Sequence, residues 1–284
     1  MSYSDIMYEA LQHPQGEDAW RESNLAKECG KKMRLIPCNY SVLYRPVMSM
    51  PKVIRYALLC GTDYVELDLV SSHPRQILKF AKAHGLSHAI LDDAFGTQDS
   101  IRRFRSQLVA KMTAVGGEWC TDDIKNAVNR ICYGSGLAAI LRDWALKGVS
   151  DLPEELKDLK AEVDCVARQN SVIMAREDPK AWKVCSARGH ARYTALSVMC
   201  QMGEREDLDR CIKELPPEAV LMGYLNDSFL CATFDDIEGY SQRMAADFGI
   251  FIDQKHIPSN LAEYRRLFES KVGALTDDEV DERE

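Results

Sequence analysis

The stretch that most constrains the fold runs from Tyr64 to Leu78 and reads Y-V-E-L-D-L-V-S-S-H-P-R-Q-I-L. Val65 and Leu67 alternate with Glu66 and Asp68, which predicts a strand with one face toward a core. Ser71, Ser72 and Pro74 then break the strand and open a helix, with an apolar stripe at Ile77, Leu78 and Ala81. Asp68 therefore ends a strand where the backbone turns away, and a carboxylate held there can grip a cation. A lone aspartate at a strand end is ordinarily a surface residue. Two further stretches change its meaning.

The first lies within residues 219–234, which read as two strands joined near Asn226-Asp227. Asp227 thus also sits at a strand end. If both strands share one antiparallel sheet, two carboxylates approach each other and one tends to protonate. A divalent cation removes that conflict. Magnesium suits such a site because it takes few carboxylates and completes its shell with water and substrate phosphates. Two such ions clamp the attacking and leaving oxygens of a phosphoryl transfer. The second stretch runs from Lys125 to Gly136. Lys125, Asn129 and Tyr133 are spaced four apart and share one helix face. The lysine can hold a phosphate, Tyr133 can pack on a sugar or base, and Gly134 permits close approach. Taken singly, this helix is equally an ordinary one with an exposed lysine and a terminal glycine.

Net charge bears on what such a site would bind. The total is −8, but residues 277–284 hold six acids and one base, leaving −3 for the rest of the chain. That acidic tail reads as disordered, and local basic patches on the remainder suffice to attract a polyanion. Arg102, Arg103 and Arg105 on a helix over 101–112, with Arg188 and Arg192 further on, are the candidates for nucleic-acid backbone contacts. The ten cysteines are scattered without a Cys-x-x-Cys pair. They read as buried free thiols of an intracellular, reducing compartment, and not as disulfides or a zinc site. No apolar run is long enough to span a bilayer, so no membrane partner is expected, and Met1 to Asp5 lacks a signal pattern.

Along the chain, residues 1–33 read as a helical lead-in and 37–51 as irregular. A short helix over 52–59 is stopped by Gly61. Further helices are predicted over 75–84, 86–96, 101–112, 124–132, 137–146, 150–169, 187–215, 237–248 and 261–272, with a short strand at 250–252. The sum is an α+β, helix-rich domain over 1–275 followed by the tail at 276–284.

The three stretches together resemble a known set. The Asp68 region looks like motif A of the family A DNA polymerases and the related single-subunit phage and mitochondrial RNA polymerases, where a strand-ending metal aspartate is followed five positions later by the residue beneath the incoming sugar, here His73. Lys125, Tyr133 and Gly134 are similar to motif B, with its triphosphate-binding lysine and Tyr-Gly eight positions on. Asn226-Asp227-Ser228-Phe229 resembles motif C, whose usual form is His-Asp. The order A, B, C is preserved. Arg45 and the piece from Pro51 to Arg55 fall where relatives carry an arginine-containing segment ahead of motif A. The chain departs from the pattern at Asn226 in place of histidine, at Thr121 in place of a basic residue, and at Asn129 in place of an aromatic or aliphatic one.

The resemblance implies a polymerase palm, a small antiparallel sheet backed by helices, with a helical fingers insertion over about 86–148. It implies Asp68 and Asp227 as ligands of two magnesium ions, with Leu69 as a further metal position, and Lys125 at the triphosphate. His73, Tyr133, Gly134, Asn129 and Arg55 would contact the nucleotide. The expected partners are a nucleic-acid template and primer and nucleoside triphosphates. A protein partner would supply the thumb or promoter functions that 284 residues leave no room for. The size of His73 argues for deoxynucleotides, but a histidine can also hydrogen-bond a 2′-hydroxyl. The Tyr-Gly-Ser and Asn-Asp-Ser-Phe runs resemble the RNA-making branch, which gives a slight lean to RNA synthesis. The alternative is a catalytically degenerate polymerase-like module that binds nucleic acid. A helical scaffold carrying these motifs by chance is the third reading.

Overall fold

The computed structural model describes residues 59–260 except 226, together with 56, 262–264, 266 and 267. The expectations for 1–33, 37–51, Arg55, most of 52–59 and 261–272, and the tail fall wholly or largely outside these residues. The protein is an α+β chain, rich in helix, with a small four-stranded antiparallel sheet. It divides into two compact units: residues 1–68, 214–243 and 252–284 form one, and residues 69–213 and 244–251 the other.

The first unit contains the sheet. Strand β1 is Tyr64–Leu69, β2 is Leu221–Leu225, β3 is Ser228–Ala232 and β4 is Ile252–Lys255, in the order β2-β3-β1-β4. Strand β1 pairs antiparallel with β3, placing Leu67 opposite Phe229 and Asp68 opposite Ser228. Strands β2 and β3 form the hairpin that the alternating sequence predicts, with an irregularity between Leu221 and Gly223. Leu67 and Phe229 are fully buried, and side chains directly opposite share one face. The other face of β1 is not the polar surface that alternation predicts. Glu66 is buried as well, and Ser228 Oγ donates to its Oε1 at 3.3 Å.

The second unit is helical. Its elements are α1 (Ser72–Ala83), α2 (Ala89–Phe95), α3 (Gln98–Val115), α4 (Thr121–Cys132), α5 (Leu137–Ala145), α6 (Glu154–Glu177), α7 (Pro179–Ser186) and α8 (Ala191–Lys213). Helix α9 (Ile237–Phe248) begins in the first unit and ends in the second. Helix α6 runs eight residues beyond the predicted 169, because Val163, Val166, Ala167, Asn170 and Ser171 continue its buried face. Helix α7 is absent from the sequence expectation. Pro179 at its first position and an Asp178 side chain that accepts from the Ala181 N–H open it. The last strand lies at 252–255 instead of 250–252.

Helix α6 packs against α8, α1, α2 and α4, and its buried leucines and valines join one apolar core with Phe95, Phe104, Ile124 and Ile131. A polar tie crosses this core. Glu162 of α6 is buried and accepts from the Leu91 N–H at 3.0 Å and from Ser87 Oγ at 3.0 Å. Leu91 lies in the first turn of α2, whose N–H groups lack intrahelical partners. One carboxylate thus closes a helix end and welcomes the positive end of its dipole. Glu162→Ala should cost about 1–3 kcal/mol, since it orphans a buried N–H. Urea denaturation of the purified protein checks this, and a loss below about 0.5 kcal/mol would contradict the assigned role.

Candidate active site

Within the first unit, the β1–β3 register positions the two candidate carboxylates. Because Asp68 faces Ser228, Asp227 is one residue from Asp68's cross-strand partner, at the tip of the β2–β3 hairpin. The two carboxylates are close enough to sense each other. Burial, and then the charge of Asp227, push the Asp68 carboxyl up to about 6; Lys255 pulls it back and Glu66 adds to the rise. Asp227 itself is exposed.

The sequence reading missed Lys255. It ends the edge strand β4, and its Nζ lies 3.2 Å from Asp68 Oδ2 and 2.6 Å from Asp253 Oδ2. Burial works against its charge, but Asp253 and Asp68 outweigh that and raise it above the ordinary lysine value. No motif marks Lys255, because its partner lies far away in sequence and only sheet order brings them together.

The turn that follows Asp68 is fixed from several sides within the second unit. Ser71 has φ 51°, and it is the one non-glycine at positive φ among the described residues. Such a conformation costs of order 1 kcal/mol and persists only where neighbours impose it. Here Arg105 Nη2 donates to Ser71 Oγ at 2.8 Å, and the Val70 N–H donates to the Phe251 carbonyl at 2.9 Å. Arg75 donates to the Gly249 carbonyl and lies 3.6 Å over the Phe251 ring. Burial lowers the pKa of both arginines, Arg75 to about 10.

A separate group of candidate residues lies within the helical unit. Helix α4 buries Ile124, Ala127, Val128, Ile131 and Cys132, at spacings of three and four. The opposite face then carries Lys125, Asn129 and Tyr133, as the spacing predicts. Lys125 is exposed without an ion pair among the described residues, Asn129 is half-buried, and Tyr133 is 54% exposed. His73, from the first turn of α1, meets the Tyr133 ring edge-on at 5.1 Å. The two residues assigned to the sugar are thus in contact. His73 Nε2 also lies 3.5 Å from Glu204 Oε2, and only 13% of its side chain is exposed. Gly134 has φ 92°, and a methyl group there would overlap the Tyr193 ring. Tyr193 is held in turn by Asp164 and by Lys160, whose Nζ donates to its hydroxyl at 2.6 Å.

The arginines separate. Arg102, Arg188 and Arg192 are exposed. Arg103 pairs with Asp93 at 2.7 Å. The Arg105 guanidinium is turned inward to Ser71, so the basic helix offers fewer phosphate contacts than its sequence suggests. Arg55 lies outside the described residues, and the Asn226 side chain with it.

The donor set at the sheet end fits a hard cation in part. Two carboxylates at neighbouring strand ends, one of them hindered in ionising, are what a divalent oxygen-seeking ion would relieve. Among the described residues no group of three or more acidic, histidine or cysteine side chains gathers at one point, so water, backbone or substrate oxygens would have to complete the shell. The eight described cysteines are free thiols, and no described helix is long and apolar enough to cross a membrane. No family model, curated protein or solved structure matches the chain.

Gly134 gives the group on the helical unit a direct test. Gly134→Ala combines positive-φ strain with overlap of the Tyr193 ring, and should destabilise the protein by about 1–3 kcal/mol. Thermal melting reads this. Unchanged stability would mean that Tyr193 does not pack on the turn.

Proposed function

We propose that the protein is a template-directed nucleotidyltransferase of the polymerase type, a palm with a helical fingers insertion, dependent on magnesium. The observation that carries this reading is the placement of Asp68 and Asp227 at neighbouring ends of β1 and β3, with the ionisation of Asp68 suppressed by burial and by Asp227. The contact between His73 and Tyr133 supports it independently, because the resemblance puts both residues at the nucleotide sugar.

Asp68 and Asp227, with the Leu69 position beside them, would hold magnesium. Magnesium, when bound, supplies positive charge to the transferring phosphate and acidifies the attacking hydroxyl. Lys125 is exposed on α4 without an ion pair among the described residues, and binds the triphosphate as a point charge. The exposed face of Tyr133 packs on the sugar or base, with Asn129 one helical turn before it. Arg102, Arg188 and Arg192 contact the nucleic-acid backbone. His73 reads the sugar, with a slight lean to ribonucleotides.

One observation favours a second reading, a catalytically degenerate module that binds nucleic acid: the Lys255 ammonium already partly neutralises Asp68. Primer extension with magnesium and each nucleotide class separates the two. The wild-type protein should extend a labelled primer. Asp227→Asn should abolish that extension, by at least about a hundredfold, while melting at or above the wild-type temperature, since it removes a like charge. Extension by the variant at the wild-type rate would sink the assignment. Tight primer binding with no extension by either protein would establish the second reading.

A further inference from the structure

Resting on that reading of the carboxylate pair, we propose that Lys255 is the resident counter-cation of the pair and sets its affinity for divalent metal, so that an incoming ion competes with the ammonium for Asp68. The geometry is contained within the first unit. Lys255 reaches Asp68 at 3.2 Å from the neighbouring strand, and Asp253, two residues earlier on β4, anchors it at 2.6 Å. Among the described residues, Asp68 and Asp253 contact this ammonium, while Glu66 and Asp227 bring further negative charge near Asp68. Glu66 is buried and Asp68 is mostly covered, with 23% of its side chain exposed. A buried carboxylate needs a cation nearby to remain ionised, and among the described residues Lys255 is the cation that contacts Asp68.

An ammonium and a metal ion cannot share the same carboxylate oxygen without mutual repulsion, and partial burial reduces solvent screening. Lys255 Nζ engages Asp68 Oδ2, so an ion approaching that oxygen must push the ammonium away. Asp253 offers the ammonium a place to go, because it already makes the shorter of the two contacts. The ion pair thus preserves the sheet end without metal and weakens the site for metal. Lys255 acts through Asp68, so it is a positioning residue.

The test is a calorimetric titration of the full chain with Mn²⁺, alongside thermal melting. Wild-type protein, Lys255→Met, Lys255→Arg and Asp68→Asn are compared. Lys255→Met should bind Mn²⁺ at least about tenfold more tightly than wild type. It should melt lower without metal and gain more from added Mn²⁺. Lys255→Arg, which keeps the charge, should bind like wild type, and Asp68→Asn should lose binding. Tightening is a readout that damage to the fold would not produce. Equal or weaker Mn²⁺ affinity in Lys255→Met overturns the inference, even if primer extension succeeds. If the wild type and Lys255→Met both fail to bind Mn²⁺, the metal reading falls and the inference falls with it. Mn²⁺ binding that tightens in Lys255→Met without any primer extension would uphold the role of Lys255 and refute polymerase activity.

Discussion

The pairing register of β1 on β3 is the constraint on which the carboxylate group of the first unit depends. Side chains alternate across a strand, so a slip of one residue would turn Leu67 out of its buried row and carry Asp68 away from the hairpin tip. Leu67 opposite Phe229 resists this slip, since both are fully buried. Each such side chain contributes about 1.5–3 kcal/mol, and one slip would forfeit both. The proximity of two like charges is therefore enforced by apolar burial next door. It does not have to be favourable in itself.

That enforcement explains why the region gathers unfavourable features. Asp68 is hindered in ionising, Glu66 is buried on the same strand, and Ser71 stands at positive φ three residues later. Each costs free energy locally, and each has a specific partner. Lys255 answers Asp68, Ser228 answers Glu66, and Arg105 answers Ser71. The arginine's own burial cost, seen in its lowered pKa, shows that the turn is held at some expense. Local conflict compensated by dedicated partners is the pattern expected where a site, and not stability, fixes the residues.

Legibility from sequence divides along the same line. Strand β1 and the β2–β3 hairpin were readable because alternation and turn residues are local signals. So was the α4 face bearing Lys125, Asn129 and Tyr133, whose mirror image is the buried row from Ile124 to Cys132. Lys255 was not readable, because its meaning comes from strand order, which no short-range pattern encodes. Arg105 was misleading for a similar reason. On a helical wheel it belongs with exposed Arg102, yet an inward hydrogen bond to Ser71 turns it from a phosphate contact into a brace. Glu66 reads as the polar side of an amphipathic strand, yet it is buried and accepts from Ser228 Oγ across the sheet, which alternation cannot predict.

The Tyr133-Gly134 turn shows how a recognisable motif can depend on residues that carry no signature. Helix α4 supplies the turn and α1 supplies His73, but the space around them is set by α8. Glu204 holds the His73 ring from one point of that helix, and Tyr193, near its start, closes over Gly134. Tyr193 is in turn fixed by Lys160 and Asp164 on α6. Glycine is required at 134 on two counts, positive φ and the aromatic ring above it, and only the first belongs to the motif itself. Because α6 and α8 also form part of the apolar core, the position of Tyr133 is coupled to core packing. Substitutions deep in α6 would then alter the exposed aromatic face without touching it.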